Sequence, residues 1–290
     1  MEIEIDADNH ELQRIVPVLT SLRTACSDLG VEFFIIGALA RDLHLQHLND
    51  IDVPRRTRDV DVAVAVDGWD SYADLRDRLI MEYDFTDEDP KQKIRSPDGT
   101  ELDLVPFGEI EDSNGQIRFP PDDRPVMTVL GLKEARRSTV SFTFGDEAIA
   151  HVVSLPALGL LKLIAWDERP RERAHDAQDL CFILRTYFDV EIDTIVERHA
   201  DLFDEDDFSR PHVSARAYGR AVASLLRRNG ALREHVIQIL ERETADAHQS
   251  SLADAMNAVG CHPEYDLRFE SITALLAGIR EELEDYTILD

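Results

Sequence analysis

Residues 34–66 read FIIGALARDLHLQHLNDIDVPRRTRDVDVAVAV, and the rest of the fold can be worked out from this stretch. It begins as an apolar strand, stops at Gly37 and passes directly into a helical pattern over residues 38–47. After a polar loop, a second strand is predicted over residues 58–66, with Asp59 and Asp61 at its start. Alternate residues of a strand point to the same face. The two carboxylates are therefore expected side by side, with the valines on the opposite face.

The setting of this acidic pair distinguishes it from others in the chain. The same Asp-x-Asp spacing recurs at residues 6/8, 50/52 and 87/89, in stretches that resemble solvated loop. Only Asp59 and Asp61 open a strand whose other face is wholly β-branched, which predicts that face to be core. Adjacent carboxylates repel each other, and a hard divalent cation such as Mg2+ relieves that repulsion. The sequence therefore indicates a metal site at this pair.

A third acid lies on a later strand. Residues 101–107 read ELDLVPF and follow Asp98-Gly99, a typical hairpin turn. Leu102 and Leu104 are expected on one face of this strand and Asp103 on the other. Two interpretations of Asp103 remain open: a third carboxylate of the metal site, or a solvent-facing acid at a sheet edge.

Gly37 and Ala38 stand at the junction between the first strand and its helix. A helix N-terminus offers N–H groups and a positive dipole end to phosphate oxygens, and glycine allows the backbone to approach closely. Beside three carboxylates that hold Mg2+, this is a layout for nucleotidyl transfer by in-line attack on a phosphate. Arg41 and Arg58 flank the site; each either neutralises phosphate or pairs with a nearby acid such as Asp42.

The character of the chain changes near Ser154. A mixed, β-rich part is predicted over residues 1–153, with residues 117–130 irregular, and a helical part over residues 154–290. Lys162 is a lone lysine in the apolar helix LGLLKLIAW. It either extends from the edge of the core to water or reaches a triphosphate as a point charge. Asp176 and Asp179 are assigned first to ion pairs that support this helical part, and to catalysis only indirectly.

Composition excludes some classes of protein. With 290 residues and 43% hydrophobic content, the chain is long enough for substantial cores. A net charge of −28 argues against general electrostatic binding of nucleic acid, unless a local patch compensates; the candidate arginines are Arg216, Arg220, Arg227 and Arg228. Lysine occurs only at positions 91, 93, 133 and 162. An acidic surface with few lysines suits a high-salt cytoplasm, although a GC-rich genome also replaces lysine with arginine.

The remaining motifs carry no chemistry of their own. Cys26, Cys181 and Cys261 are far apart and are expected to be buried thiols in a reducing compartment. His44 and His47 are interpreted as surface histidines. No apolar run reaches 18 residues and the first ten residues are acidic, so neither a membrane span nor a signal peptide is expected, and the cytoplasm is the predicted location.

These motifs resemble a known family. The strings FIIGALARD, RRTRDVDVAV and ELDLVPFG resemble the nucleotidyltransferase fold of the DNA polymerase β-like superfamily. The string SLPALGLLKLIAWDERPRERAHDAQDL is similar to the lysine-containing helix and the following Asp-x-x-Asp-Leu helix of the AbiEii/AbiGii toxin-like branch. A group of uncharacterised predicted nucleotidyltransferases shares this order of motifs. The resemblance spans about residues 32–184.

The resemblance implies an α+β fold, with a mixed sheet and flanking helices followed by an all-helical C-terminal domain. It also implies transfer of a nucleoside monophosphate from an NTP to an acceptor hydroxyl, with one or two Mg2+ ions. The implied metal ligands are Asp59, Asp61 and Asp103, and Asp103 is the alternative acceptor of the hydroxyl proton. The implied phosphate contacts are Gly37, Ala38 and Lys162, while Asp179 would steady the helical part.

The acceptor is left open. Toxin-like relatives act on transfer RNA and work with an antitoxin partner, whereas other branches modify proteins or small molecules. The acidic composition favours a small-molecule or protein acceptor. A different class also remains open, namely a non-catalytic nucleotide-binding or interaction module with the same fold.

Overall fold

The computed structural model of the protein describes residues 2–5, 10–55, 57–144, 148–203 and 208–287. The chain divides into two compact units, Met1–Ser154 and Leu155–Asp290. Strands belong to the first unit and helices make up the second. The predicted α+β class, a mixed sheet with flanking helices followed by an all-helical part, is confirmed.

The first unit is built on a mixed sheet that has eight strands among the described residues, in the order β1-β9-β10-β2-β3-β6-β5-β4. Two further strands, β7 and β8, form a separate hairpin. The bounds are β1 (Glu2–Ile5), β2 (Glu32–Ile36), β3 (Val60–Val66), β4 (Thr86–Asp87), β5 (Lys93–Arg95), β6 (Glu101–Gly108), β7 (Gln116–Arg118), β8 (Val126–Thr128), β9 (Thr139–Phe144) and β10 (Ala148–Val153).

The first unit also contains helices, several of which contact this sheet. They are α1 (His10–Gln13), α2 (Ile15–Leu29), α3 (Gly37–Asp42), which runs into a π-helical segment (Leu43–His47), α4 (Trp69–Tyr83) and α5 (Leu132–Arg136). α2 and α4 pack against each other and against the sheet. The valines of β3 that were predicted to face the core are all buried: Val60, Val62, Val64 and Val66. Leu102 and Leu104 of β6 are buried beside them.

The second unit contains the remaining helices. They are α6 (Leu155–Glu168), α7 (Ala174–Val190), α8 (Ile192–Arg198), a 3-10 turn (Ala200–Phe203), α9 (Arg210–Leu226), α10 (Gly230–Thr244), α11 (Ser251–Ala255) and α12 (Tyr265–Thr287). α6 is apolar on nearly every side and is buried along most of its length. In the ranges that the structure describes, no helix combines the length and apolar character needed to span a bilayer.

Some predicted elements need correction. The segment over residues 117–130 is not irregular throughout, because β7 and β8 pair within it. The helical pattern predicts helices over residues 251–259 and 269–284, whereas α11 ends at Ala255 and α12 begins at Tyr265. The sequence also predicts a hairpin across Gly145-Asp146, which lies outside the described residues.

His44 also differs from its predicted surface position. Its side chain is buried, its Nε2 lies 2.8 Å from the carbonyl oxygen of Val153, and its ring packs edge-on against Phe142 at 5.2 Å. Burial lowers the pKa of His44 to about 4, and the hydrogen bond to Val153 opposes this shift. The π-helical turn that carries His44 directs it inward, which a regular helical period does not predict.

Candidate active site on the acidic face of the central strands

Four strands place one row of side chains next to each other across the sheet. The paired residues are Ile36 on β2, Asp61 on β3, Asp103 on β6 and Lys93 on β5. Side chains paired in this way project from the same face, and neighbouring strands are about 4.8 Å apart. The sheet register therefore brings Asp61 and Asp103 together and adds a basic residue beside them.

Asp61 packs against the first residue of α3. Gly37 has a φ of +70°, a conformation that favours glycine. A β-carbon added to Gly37 would lie 2.1 Å from Asp61 Oδ2, closer than any side chain can approach. Ala38 follows Gly37 in the first turn, where the N–H groups of a helix have no partner within the helix. The sequence motif thus places one carboxylate directly at a helix N-terminus.

Asp103 has 22% of its side chain exposed. Its Oδ1 is buried without a hydrogen-bond partner and lies 3.5 Å from Lys93 Nζ. Burial raises the pKa of Asp103; the Lys93 ammonium opposes the shift, and the carboxylates of Asp59 and Glu101 add to it. A carboxylate with such a pKa is a stronger base than an exposed aspartate and gains from a nearby cation.

Asp59 lies one residue before β3 rather than within it. It is partly exposed, and its N–H donates a hydrogen bond to Thr57 Oγ1 at 3.3 Å. Its charge raises the pKa of both Asp103 and Lys93, so it acts on the same group of residues. Asp59, Asp61 and Asp103 are called the acidic cluster below.

Lys93 is the residue of this face to which sequence reasoning gave no role. Its Nζ donates a hydrogen bond to Glu101 at 2.6 Å and lies 3.5 Å from Asp103. Burial lowers the pKa of Lys93, but Glu101, Asp103 and Asp59 outweigh it, so the pKa is raised. Arg95 pairs with Glu101 at 2.7 Å, so that basic and acidic side chains alternate across β5 and β6.

The register of one hairpin explains why Lys93 was missed. Ser96 and Thr100 close a loop of three residues that ends at Gly99, whose φ is +89°. A two-residue turn at Asp98-Gly99 would pair Ile94 with Asp103 instead of Lys93. The length of the hairpin loop therefore decides whether Lys93 or Ile94 pairs with Asp103. A shift of one residue in the pairing moves a side chain to the other face of the sheet.

The two predicted arginines differ in position. Arg41 is 1% exposed, and its guanidinium pairs with Asp42 at 2.6 Å and donates to the carbonyl oxygen of Arg55. The backbone N–H of Thr57 donates to the same Asp42 carboxylate. Arg41 thus ties α3 to the loop that leads to the acidic cluster. Arg58 is exposed next to Asp59. Contact of either arginine with a nucleotide stays a prediction.

Lys162, Asp176 and Asp179 form a buried ion-pair network in the second unit. The ammonium of Lys162 lies 2.7 Å from Asp176 and 2.8 Å from Asp179. Lys162 is 8% exposed, so it does not extend to water as one interpretation proposed. Burial lowers its pKa, but Asp179 and Asp176 outweigh it and the pKa is raised. The supporting ion pairs are present, while contact of Lys162 with phosphate stays a prediction.

The acidic cluster offers the oxygen ligands that Mg2+ prefers. The buried Oδ1 of Asp103, without a hydrogen bond, is the kind of atom that a cation satisfies. However, in the part of the chain that the structure describes, no three His, Cys, Asp or Glu side chains are gathered closely enough to hold a metal ion. The cluster therefore fits Mg2+ in its chemistry, although the described side-chain positions do not form a site with three such ligands.

Comparisons with known proteins give a distant likeness. No protein-family model and no curated protein matches the sequence. The chain is similar to the crystal structure of an antigenic nucleotidyltransferase-like protein from Paracoccidioides brasiliensis, with 17% identity, a TM-score of 0.40, and coverage of 66% of this chain and 91% of that one.

It is also similar to two structures of the antibiotic-resistance factor ANT(2'')-Ia. The solution structure has 15% identity and a TM-score of 0.36, and covers 66% of this chain and 96% of that one. The crystal structure in complex with adenylyl-2''-tobramycin has 16% identity and a TM-score of 0.37, and covers 64% of this chain and 98% of that one. At these values the function has to be inferred from the acidic cluster itself.

Proposed function

We propose that the protein is a Mg2+-dependent nucleotidyltransferase, which moves a nucleoside monophosphate from an NTP to an acceptor hydroxyl and releases pyrophosphate. One observation carries the proposal. Asp61 and Asp103 are in register on neighbouring parallel strands, and the Asp61 carboxylate packs against Gly37 at the N-terminus of α3. This arrangement offers carboxylates for a metal beside N–H groups for phosphate oxygens.

Each residue has a defined task in this reaction. Asp59, Asp61 and Asp103 would hold one or two Mg2+ ions, which when bound neutralise the phosphates and polarise the one that is attacked. The N–H groups of Gly37 and Ala38 orient the phosphate oxygens. Asp103, whose pKa is raised by burial, is the group best suited to accept the proton of the attacking hydroxyl. The proton leaves the hydroxyl as its oxygen bonds to the α-phosphorus and pyrophosphate departs.

The charge distribution favours a small molecule or a protein as acceptor. Three of the four arginines proposed as an RNA-binding patch are engaged in ion pairs, Arg216 and Arg220 with Glu281 and Arg227 with Glu282, whereas Arg228 is exposed. A net charge of −28 is therefore not offset by a patch of free arginines at these positions. RNA as acceptor, in a toxin with a cognate antitoxin, remains the proposal carried by the motif resemblance alone.

A non-catalytic module with this fold is the second candidate. Lys93 beside Asp103 favours it, because the ammonium already supplies a positive charge to one acid of the cluster. The two candidates differ in one respect that can be measured: a catalytic cluster must bind a divalent cation.

The test combines labelling with cation binding. The purified chain is incubated with Mg2+ and each α-labelled NTP, together with total RNA, cell-extract proteins or small metabolites, at low and high salt. Wild type is compared with Asp61→Asn, Asp103→Asn and Asp74→Asn, the last an exposed acid of α4. We expect label on one acceptor class with wild type and Asp74→Asn only, together with Mn2+ binding in calorimetry. Absence of both label and Mn2+ binding in the wild type would leave the non-catalytic module.

A further inference from the structure

Two of the three thiols meet in the second unit. Cys181 lies on α7, and Cys261 lies in the turn between α11 and α12. The Cys261 thiol donates a hydrogen bond to the carbonyl oxygen of Gln178, with 3.6 Å between sulfur and oxygen. Because a helical side chain leans back over the preceding turn, the Cys181 sulfur lies over the same turn of α7. The two thiols are close enough for each to shift the pKa of the other.

Two arginines fix the turn that carries Cys261. Arg185 Nη1 donates to the carbonyl oxygen of Gly260 at 2.6 Å. Arg268 Nη1 donates to the carbonyl oxygens of His262 and Pro263, both at 2.8 Å. The turn is thus anchored on both sides of the cysteine. This anchoring holds the sulfur of Cys261 against α7, the helix that also carries Cys181.

The pKa of Cys261 is shifted in the opposite direction from that of Cys26, the third cysteine. The Cys181 thiol lowers the pKa of Cys261, the positive charges of Arg185 and Arg268 add to this effect, and burial and the Asp179 carboxylate oppose it. Burial alone raises the pKa of Cys26 to about 12. The thiolate is the reactive form of cysteine, and Cys261 is the one of the three whose pKa is lowered, so it is the expected nucleophile.

We propose that Cys181 and Cys261 form a redox-active pair, which a peroxide converts into an intramolecular disulfide. The Cys261 thiolate attacks one peroxide oxygen, the O–O bond breaks, and with one proton from solvent the products are a sulfenic acid and water. The Cys181 thiol then attacks that sulfur and displaces the hydroxyl group as a second water. Two thiols are oxidised by two electrons in total, hydrogen peroxide is reduced to two waters, and a dithiol reductant reverses the change.

The disulfide would join the turn at Cys261 to the helix that bears the buried ion-pair network. Asp179 lies two residues before Cys181, pairs with Lys162 at 2.8 Å and also acts on the charge of Cys261. The bond would therefore fix α7 next to this network. The proposal needs no assumption about the reaction of the acidic cluster, so either can fail without the other.

The experiment uses the reduced full-length chain and hydrogen peroxide. Remaining thiols are alkylated, and the protein is digested and mapped by mass spectrometry. We expect wild type and Cys26→Ser to lose the thiols of Cys181 and Cys261 together, to yield a peptide cross-linked between them, and to recover both thiols with dithiothreitol. Cys261→Ser should yield no cross-link and should leave Cys181 reduced at the same peroxide concentration.

Three results would overturn the proposal. They are consumption of Cys26 as fast as Cys261, oxidation of Cys261 to the sulfinic acid without a cross-link, and survival of all three thiols at peroxide concentrations that oxidise an unfolded sample. Mapping of the wild type alone decides among these outcomes, so the proposal remains testable even if a serine variant does not fold.

Discussion

Gly37 and Asp61 are in such close contact that a β-carbon on the glycine would lie 2.1 Å from Asp61 Oδ2. The contact joins the N-terminus of α3 to the acidic cluster. Gly30 has a similar φ of +67°, but no atom lies within 4 Å of the position that a β-carbon would take. A comparison of the two glycines therefore separates the effect of the steric clash from that of the backbone conformation.

Replacement of Gly37 with alanine should displace Asp61, whereas Gly30→Ala should not. Both changes place alanine in the left-handed region, at a cost of about 1–2 kcal/mol in the free energy of unfolding. Only Gly37→Ala should also abolish Mn2+ binding and reduce nucleotidyl transfer by about 100-fold, through misplacement of the carboxylate. Urea unfolding and calorimetry measure the two effects. Equal Mn2+ affinity in both variants would contradict the contact.

Loss of Lys93 should strengthen divalent-cation binding. Lys93→Met removes the ammonium 3.5 Å from Asp103 Oδ1, and we expect Mn2+ to bind about fivefold more tightly, since removal of a like charge near the surface is worth about 1 kcal/mol. Lys91→Met is the matched control, because the Lys91 side chain is 38% exposed and pairs with Asp122. Calorimetry with Mn2+ measures both. If Lys93→Met and Lys91→Met bind alike, Lys93 does not act on the cation site.

Lys162→Met should unfold at much lower denaturant concentration than wild type. It leaves Asp176 and Asp179, which are 2% and 4% exposed, without their shared cation, and breaking a buried pair costs about 3–5 kcal/mol. Lys133→Met, which removes a partly exposed pair with Glu111, should cost less than about 1 kcal/mol. Urea unfolding compares them. Unchanged stability with weakened NTP binding would instead favour contact of Lys162 with phosphate.

The stability of the first unit should depend on pH through His44. Its pKa is lowered from 6.5 to about 4 in the folded chain, so between these values the unfolded chain binds more protons. The free energy of unfolding should therefore fall as the pH falls from about 6.5 to about 4, by roughly 3 kcal/mol from this residue. In His44→Leu this component should be missing, whatever its absolute stability. Identical pH slopes for the two proteins would show that His44 does not titrate in this way.

The centre of the fold could be predicted from the sequence because its signals are local. The end of the first strand at Gly37 and the alternation of apolar and polar residues in β3 and β6 depend only on adjacent residues. These local patterns predicted the strands, their buried faces and the candidate acids. β1 could not be found in this way, since it pairs in parallel with β9, more than 130 residues away, and four residues carry little periodicity.

Contacts between distant residues account for the other omissions. The approach of Cys261 to Cys181 depends on how α7 packs against the turn before α12, which no spacing along the chain encodes. The role of Lys93 depended on a three-residue hairpin loop where a two-residue turn was expected. The buried position of His44 depended on a π-helical turn.

The strands that bear Asp61 and Asp103 have neighbours on both sides, β2 beside β3 and β5 beside β6. Interior strands of this kind open with the highest free energies in a domain, so under the proposed function the acidic side chains lie on the most stable part of the sheet. Adaptation to a new acceptor must then arise in the segments that leave the sheet. Laboratory selection for altered acceptors should accordingly enrich substitutions in those segments and spare both strands.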